Sequence, residues 1–588
     1  MTFDLVVRGG TVVDGSGSAA YSADIGIRAG RIAEIGRIGG NARRVIDASG
    51  ALVTPGFTDI HCHYDGQISW DEELSPSSLH GVTTVVLGNC GVGFAPVRER
   101  DRARLIALME GVEDIPGSAL SEGINWEWES FPEYMRALDA RPHAIDFGLQ
   151  IPHDALRVYV MGDRAIAGEA ANEDEIASMR ELVKQALDAG AIGFSTGRSD
   201  NHRAADGGAT PASEAEAREL AGIARAFAGR ESGVLQAVSD FDMNVGDERF
   251  DAEFDVLERM AEAAGGRPTS VSLMQRDQAP NQWRRILERV ERAHARGVPM
   301  RVQAGARGIG VLLGFEATFH PFMGFPSYKR IAHLPLGERV RQLADPAVRA
   351  RLLTEKHEPV AGDGSPIPPL ADKLLEMMDV VAMRLFRLGS RPNYEPAVGE
   401  SIAAEAFARN VSTLEAVYDA LLEDDGKALL YFPIYNYTEM SLDNVRSMLT
   451  HPLALPGLSD GGAHVGTVCD ASFSTFLLTH WARDRQSDRL PLERVVQMLG
   501  RDTARYVGLS DRGEIALGQR ADLNVIDFDR LGLARPEMVF DLPAGGRRLV
   551  QRAEGYLATL VAGEIVLEAD RLTGARPGKL ATPKGSRA

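Results

Sequence analysis

His61 and His63 are the residues in this chain best placed to do chemistry. They end a short apolar run that starts behind Thr54, Pro55 and Gly56, a turn signal. Successive side chains of a strand point to opposite faces, so residues i and i+2 share one face and two imidazoles there can converge on one point. Two converging imidazoles at the end of a strand have the geometry of a metal site. The same spacing also suits a plain polar strand end.

Two later stretches repeat the pattern. Val82 to Leu87 is an apolar strand that runs into Gly88, Asn89, Cys90 and Gly91, where glycines let backbone come close and a thiolate can ligate a soft or borderline cation. Leu453 to Leu458 ends in Ser459, Asp460, Gly461 and Gly462, with His464 following; a carboxylate there can be a ligand, a general base or both. A small buried thiol and an ordinary turn aspartate are the plainer alternatives for Cys90 and Asp460.

These strand ends need elements to position them. Asn172 and Glu175 offer a capping box, followed by Ile176, Met179, Val183, Ala186 and Leu187 at helical spacing, then Gly190 and the strand-like Ala191 to Phe194. Ser213 to Glu216 predicts a second helix start, with Leu220, Ile223 and Phe227 facing inward and a strand at Val234 to Val238. A third unit runs from Trp283 through Ile286, Val290 and Ala293 to a strand ending at Gln303. Repeated αβ units predict a parallel sheet. At this length they favour an α/β fold of the (β/α)8 TIM-barrel type, with chemistry at the C-terminal strand ends. Short strands punctuated by Gly, Asp and Ser fill residues 3–53 (Asp4 to Arg8, Thr11 to Asp14, Asp24 to Arg28, Arg31 to Gly36, Arg44 to Asp47) and recur at Ala521 to Asp527 and Tyr556 to Leu567. The expected organisation is a small β-sandwich domain from residues 1–55 and 515–570, a barrel over 56–514, an insertion over 305–425 capping the barrel mouth, and a tail over 571–588.

With 588 residues the chain has room for a barrel and smaller units around a catalytic cavity. A hydrophobic content of 44% with 25% charged residues describes a globular protein. A formal charge of −19 argues against nucleic acid or an anionic membrane as partner, leaving a small molecule. No apolar run approaches the roughly 18 residues of a membrane helix. The first residues lack a secretion signal, and three scattered cysteines, Cys62, Cys90 and Cys469, suit a reducing compartment, so cytoplasmic residence is expected. A homo-oligomer is compatible with all of this.

Taken in order, Pro55-Gly56-Phe57, Asp59, His61, His63 and the late Ser459-Asp460 resemble the amidohydrolase superfamily. Gly81-Val82-Thr83-Thr84, Gly88 to Gly91, Gly193 to Gly197, His451-Pro452, Ser459 to Gly461 and the Arg571 to Gly578 tail resemble its D-aminoacylase branch. The resemblance implies one Zn²⁺ held by His61, His63, Asp460 and Cys90, and hydrolysis of a linear amide, an N-acyl (D-)amino acid or related N-acyl compound, by metal-activated water with Asp460 as proton acceptor and donor. His464, Arg157, Arg198, Gln275, Tyr435 and Tyr437 are candidate substrate contacts, with ordinary structural roles as the alternative.

The chain departs from that branch at two further metal-ligand histidines, whose places hold Val238 and Gln275. It also departs at the basic residues that follow them, where Asp240 and Asp277 stand and favour a neutral or cationic substrate. No lysine falls at a strand end where a two-metal, cyclic-amide hydrolase would carbamylate one. Cyclic-amide hydrolysis and a non-catalytic scaffold are the competing readings.

Overall fold

The computed structural model describes residues 2–241, 249–361, 372 and 375–583. Eight parallel strands make the central sheet in the order of the chain: Phe57–Asp59, Val82–Leu87, Asp146–Pro152, Gly193–Arg198, Val234–Ser239, Thr269–Leu273, Met300–Ala304 and Ala454–Pro456. The first and last strands meet just past their ends. Cys62 bridges Gly461, with His63 N–H donating to Gly461 O at 2.7 Å and Asp460 N–H to His61 O at 3.1 Å. The sheet therefore closes into a barrel through the very residues expected to carry the site.

Helices alternate with these strands, and their apolar spacing explains which faces are buried. Glu173–Asp188 starts at the Asn172/Glu175 capping box and buries Ile176, Met179, Val183, Ala186 and Leu187, as its periodicity predicts. Gln282–Ala295 buries Trp283, Ile286, Val290 and Ala293. The helix expected from Ser213 begins later, at Ala217, because Thr210 to Ala215 is taken up in tight turns; Phe227 falls in the short 3₁₀ turn that follows it.

The terminal strands form one continuous nine-stranded sheet wrapped around an apolar core that includes Val7, Val12, Ile25, Val53, Leu523 and Leu560. Asp4 to Arg8 and Thr11 to Val12 belong to a single strand, Phe3–Val12, whose register shifts between Val7 and Gly10 around Gly9 at φ +74°. Arg512 and Arg520 fasten this sheet to the foot of the barrel, both pairing with Asp146 at the start of the third barrel strand.

The segment between the seventh and eighth strands builds a unit of its own. Ile309–Leu313, Phe386–Arg387 and Leu430–Tyr435 form an antiparallel sheet beside a separate core that includes Phe315, Phe322, Tyr418 and Leu421. A second element at the barrel mouth comes from the C-terminal part of the chain. The hairpin Glu537–Leu542/Gly546–Val550 leaves the terminal sheet and reaches the loops around the site, Leu549 N–H donating to Val465 O at 2.6 Å and Arg548 bonding Gln67, Asp71 and Ser75. The tail runs back along the third strand through Gly578 opposite His143 and Leu580 opposite Phe147; residues 584–588 lie outside the described residues. Among the described residues no helix is long and apolar enough to cross a membrane.

Candidate metal centre

His61 and His63 face the same side at the closure, their ring centroids 5.4 Å apart, while Cys62 between them turns the other way toward Ser459. Hydrogen bonds from both neighbouring strands fix this stretch: Cys62 N–H donates to Val86 O, and Ser459 Oγ donates to His61 O at 3.0 Å. Cys90 arrives from the second strand in a left-handed turn at φ +55°, its N–H donating to Gln236 Oε1 at 3.0 Å. The turn needs its glycines. A Cβ on Gly88 would lie 2.1 Å from Gln150 O, and one on Gly91 would lie 2.7 Å from Gly197 N.

One ligand atom each from His61, His63 and Cys90 lies within 4.8 Å of the other two, and all three residues are buried. His61 Nε2 is 3.3 Å from Cys90 Sγ. Its tautomer follows from its neighbour. Gln303 donates its amide to Ser270 Oγ at 2.9 Å, which turns Oε1 toward His61 Nδ1 at 2.8 Å; Nδ1 then carries the hydrogen and Nε2 offers its lone pair to the mouth. Asp460 approaches from the eighth strand with Oδ1 3.4 Å from His61 Nε2 and 3.8 Å from His63 Nε2.

The electrostatics call for a cation. Asp65, Glu113 and Asp154 are buried, and each has one oxygen without a hydrogen-bond partner. Among the described residues no Lys or Arg forms an ion pair with Asp65, Glu113 or Asp460. Burial pushes the Asp65 carboxyl up to about 8, Asp154 to about 7 and Asp460 to about 6, and Glu113 well above the usual range. The Cys90 thiol is raised well above its ordinary value by burial and then by the charges of Asp460, Glu113, Asp65 and Asp154. Two imidazoles, a thiol and surplus carboxylates fit a divalent ion of zinc type.

This surplus has a measurable consequence. Asp65 and Asp154 keep protons in the folded chain that the unfolded chain, with carboxyls near 4, has released, so stability falls as pH rises toward their folded values. Depressed histidines such as His61, at about 4, cost stability only as pH drops below their ordinary 6.5. The histidine contribution fades about one unit above that value, so from about pH 7.5 upward the buried acids set the slope. Metal-free protein is expected to melt lower at about pH 8.5 than at about pH 7.5, with a bound divalent ion flattening the difference; thermal melts of chelated and metal-loaded samples check this, and a metal-free Tm that rises over that interval contradicts it.

Three sequence candidates have other partners. Arg157 lies in a buried polar cluster, pairing with Glu219, which His153 also contacts, and donating to Glu169 O. Arg198 makes a two-pronged pair with Glu253. Tyr437 donates its hydroxyl to Pro396 O. Their charge and polarity are used in packing. Gln275 gives its amide to Glu439 and Pro280 O rather than to the mouth, and Val238 is a buried apolar residue, so neither replaces a ligand. Tyr435 stays half-buried beside the Arg276 guanidinium, and His464 lies 3.8 Å from Glu113 Oε2.

The expected repulsion of anions is also corrected. This holds for Asp277, which pairs with Arg384 and accepts from Thr438; Asp240 accepts from the neutral Asp200 N–H and Ser199 hydroxyl. Gln303, read only as a strand end, and Glu113 and His202 were not expected at the site; His202 is an electrostatic neighbour of His61, His63 and His464. None carries a local motif; only the closed barrel brings them near.

The family model described as the amidohydrolase family matches residues 44–567. The chain belongs to the amidohydrolase family. A D-aminoacylase of Alcaligenes xylosoxydans xylosoxydans is 28% identical over 583 residues, covering 98% of this chain and 97% of that protein. An N-acyl-D-glutamate deacylase of the same organism is 28% identical over 90% of this chain and 88% of its own length. A D-aminoacylase solved in a study of its binuclear metal centre superposes with a TM-score of 0.63 at 25% identity, covering 98% and 99% of the two chains. Within the amidohydrolases the chain thus sides with the D-aminoacylase branch, and its fold is that of those barrels.

Proposed function

We propose that this amidohydrolase cleaves the linear amide of an N-acyl amino acid, of the D series, with one zinc ion held by His61, His63 and Cys90. The convergence of those three ligand atoms within 4.8 Å, with Asp460 beside them, carries this reading. Three protein ligands leave a coordination position open, as catalytic zinc sites do. A divalent ion there lowers the pKa of water and polarises an amide carbonyl.

The chain's own residues supply the rest. Gln303 keeps His61 Nε2 turned to the mouth. Asp460, outside the mutual cluster of three but within 3.4 Å of His61 Nε2, takes the proton of the attacking water at a carboxylate oxygen and returns it to the leaving amine nitrogen. The insertion, through Thr318, and the hairpin Glu537–Leu542/Gly546–Val550, through Leu549, touch the loops around the mouth. Three unpaired cysteines support residence in the cytoplasm.

The test is a panel of N-acyl-D- and N-acyl-L-amino acids, neutral amides and cyclic imides, run on zinc-loaded protein with amine release as the readout. Turnover confined to N-acyl-D-amino acids is expected. Turnover of cyclic imides alone, or none at all from protein with a full complement of metal, overturns it.

A further inference from the structure

Resting on the metal reading above, we propose that Glu113 is the positioning residue of this centre, holding His63 in the orientation that points Nε2 at Asp460 and fixing His464 beside it. Glu113 ends the helix Arg102–Glu113 and is 1% exposed. Its Oε1 lies 3.0 Å from His63 Nδ1, off the axis of a hydrogen bond, and Nδ1 has no hydrogen-bond partner of its own. Its Oε2, also without a hydrogen-bond partner, lies 3.8 Å from His464 Nε2. One carboxylate thus stands between two imidazoles at the mouth.

Stability gives no reason for an acid here. A negative charge at a helix C-terminus opposes the helix dipole, and a buried carboxylate without a cation is costly. A carboxylate behind a ligand imidazole, by contrast, fixes its tautomer and strengthens it as a donor. His61 has the neutral amide of Gln303 in that place, so the two imidazoles differ in what stands behind them, an amide for one and a carboxylate for the other.

The backbone around Glu113 is built to hold it. Its carbonyl accepts from Val465 N–H at 3.3 Å, in the loop that follows Asp460. Asp114, left-handed at φ +55°, accepts from Gly466 N–H at 3.2 Å, from Thr467 Oγ1, and from Thr318 Oγ1 of the insertion at 2.8 Å. One helix end therefore ties the first barrel strand, the loop after the eighth strand and the insertion to the same point.

Glu113→Ala and Glu113→Gln test this by chelator competition for Zn²⁺, with the visible spectrum of the Co²⁺ form and the melting temperature of the metal-free protein measured alongside. The alanine variant is expected to bind zinc about 10–100-fold more weakly than the wild type. The glutamine variant, which keeps an oxygen but not the charge, falls between the two, with a shifted Co²⁺ spectrum. Both metal-free variants are expected to melt at or above the wild type, since an uncompensated buried acid is gone; a residue needed only for packing would lower the melting point instead. Zinc affinity within twofold of the wild type in either variant overturns the proposal, and the glutamine variant keeps the test decisive if the alanine variant does not fold. A wild-type protein that binds no divalent ion would refute the underlying metal reading instead.

Discussion

Asp460→Asn is expected to lose a factor of about 10²–10⁴ in kcat while keeping its metal, the range ascribed to a positioned proton acceptor. The substitution is clean for a local reason. Asp460 sits in the left-handed region at φ +48°, which asparagine tolerates nearly as well as aspartate, and the amide is isosteric with the carboxylate. The metal-binding triad of His61, His63 and Cys90 does not include it, so occupancy should stay near that of the wild type. The variant loses only the ability to take a proton from water and hand it to the amine. The same role fixes a pH dependence. Burial holds the Asp460 carboxyl at about 6 in the metal-free chain, and a neighbouring cation lowers it, so kcat/KM of the wild type should rise with pH through a value at or below about 6. Metal content by elemental analysis and kcat over pH 4–8 check both parts. A variant with near-normal turnover would remove Asp460 from the reaction.

How far the site was legible depends on how its residues reach it. His61, His63, Cys90 and Asp460 lie within a few positions of barrel-strand ends, so strand alternation and flanking glycines were enough to find them. Gln303 and Glu113 act on His61 and His63 from the seventh strand and from a helix after the second, and no local pattern links them to their partners. Arg157 and Arg198 show the converse error. A cation near a strand end attracts whichever acid is closest, and here Glu219 and Glu253 reach them before a substrate can. Asp277 misled in the same way, because its charge is set off by Arg384 from the insertion, a contact more than a hundred residues distant in sequence. The fold followed similar lines. Helical periodicity gave the barrel helices, since burial on one face demands it. The hairpin Glu537–Leu542/Gly546–Val550 falls inside the 515–570 span expected in the terminal β domain, and nothing in its alternation tells that Leu549 will dock on Val465 rather than join the terminal sheet.

His61→Ala combined with His63→Ala is expected to abolish metal binding and to bring activity to the level of the uncatalysed reaction. Each histidine supplies one of three converging ligand atoms, and Cys90 alone, with a buried thiol held well above its ordinary pKa, cannot keep a cation against chelation. Zinc bound per chain should fall from about one to near zero by elemental analysis after dialysis. The fold should survive the loss. The closure of the barrel rests on main-chain hydrogen bonds between His61, His63, Asp460 and Gly461, which alanine makes equally well. Removing the imidazoles does leave Glu113 Oε1 and Gln303 Oε1 without their neighbours in a buried site. The cost of that desolvation should appear as a lower melting point, and a Glu113→Gln change added to the double variant should recover part of it. Full occupancy in the double variant would move the metal elsewhere in the chain and take the triad, the role of Asp460 and the role of Glu113 with it.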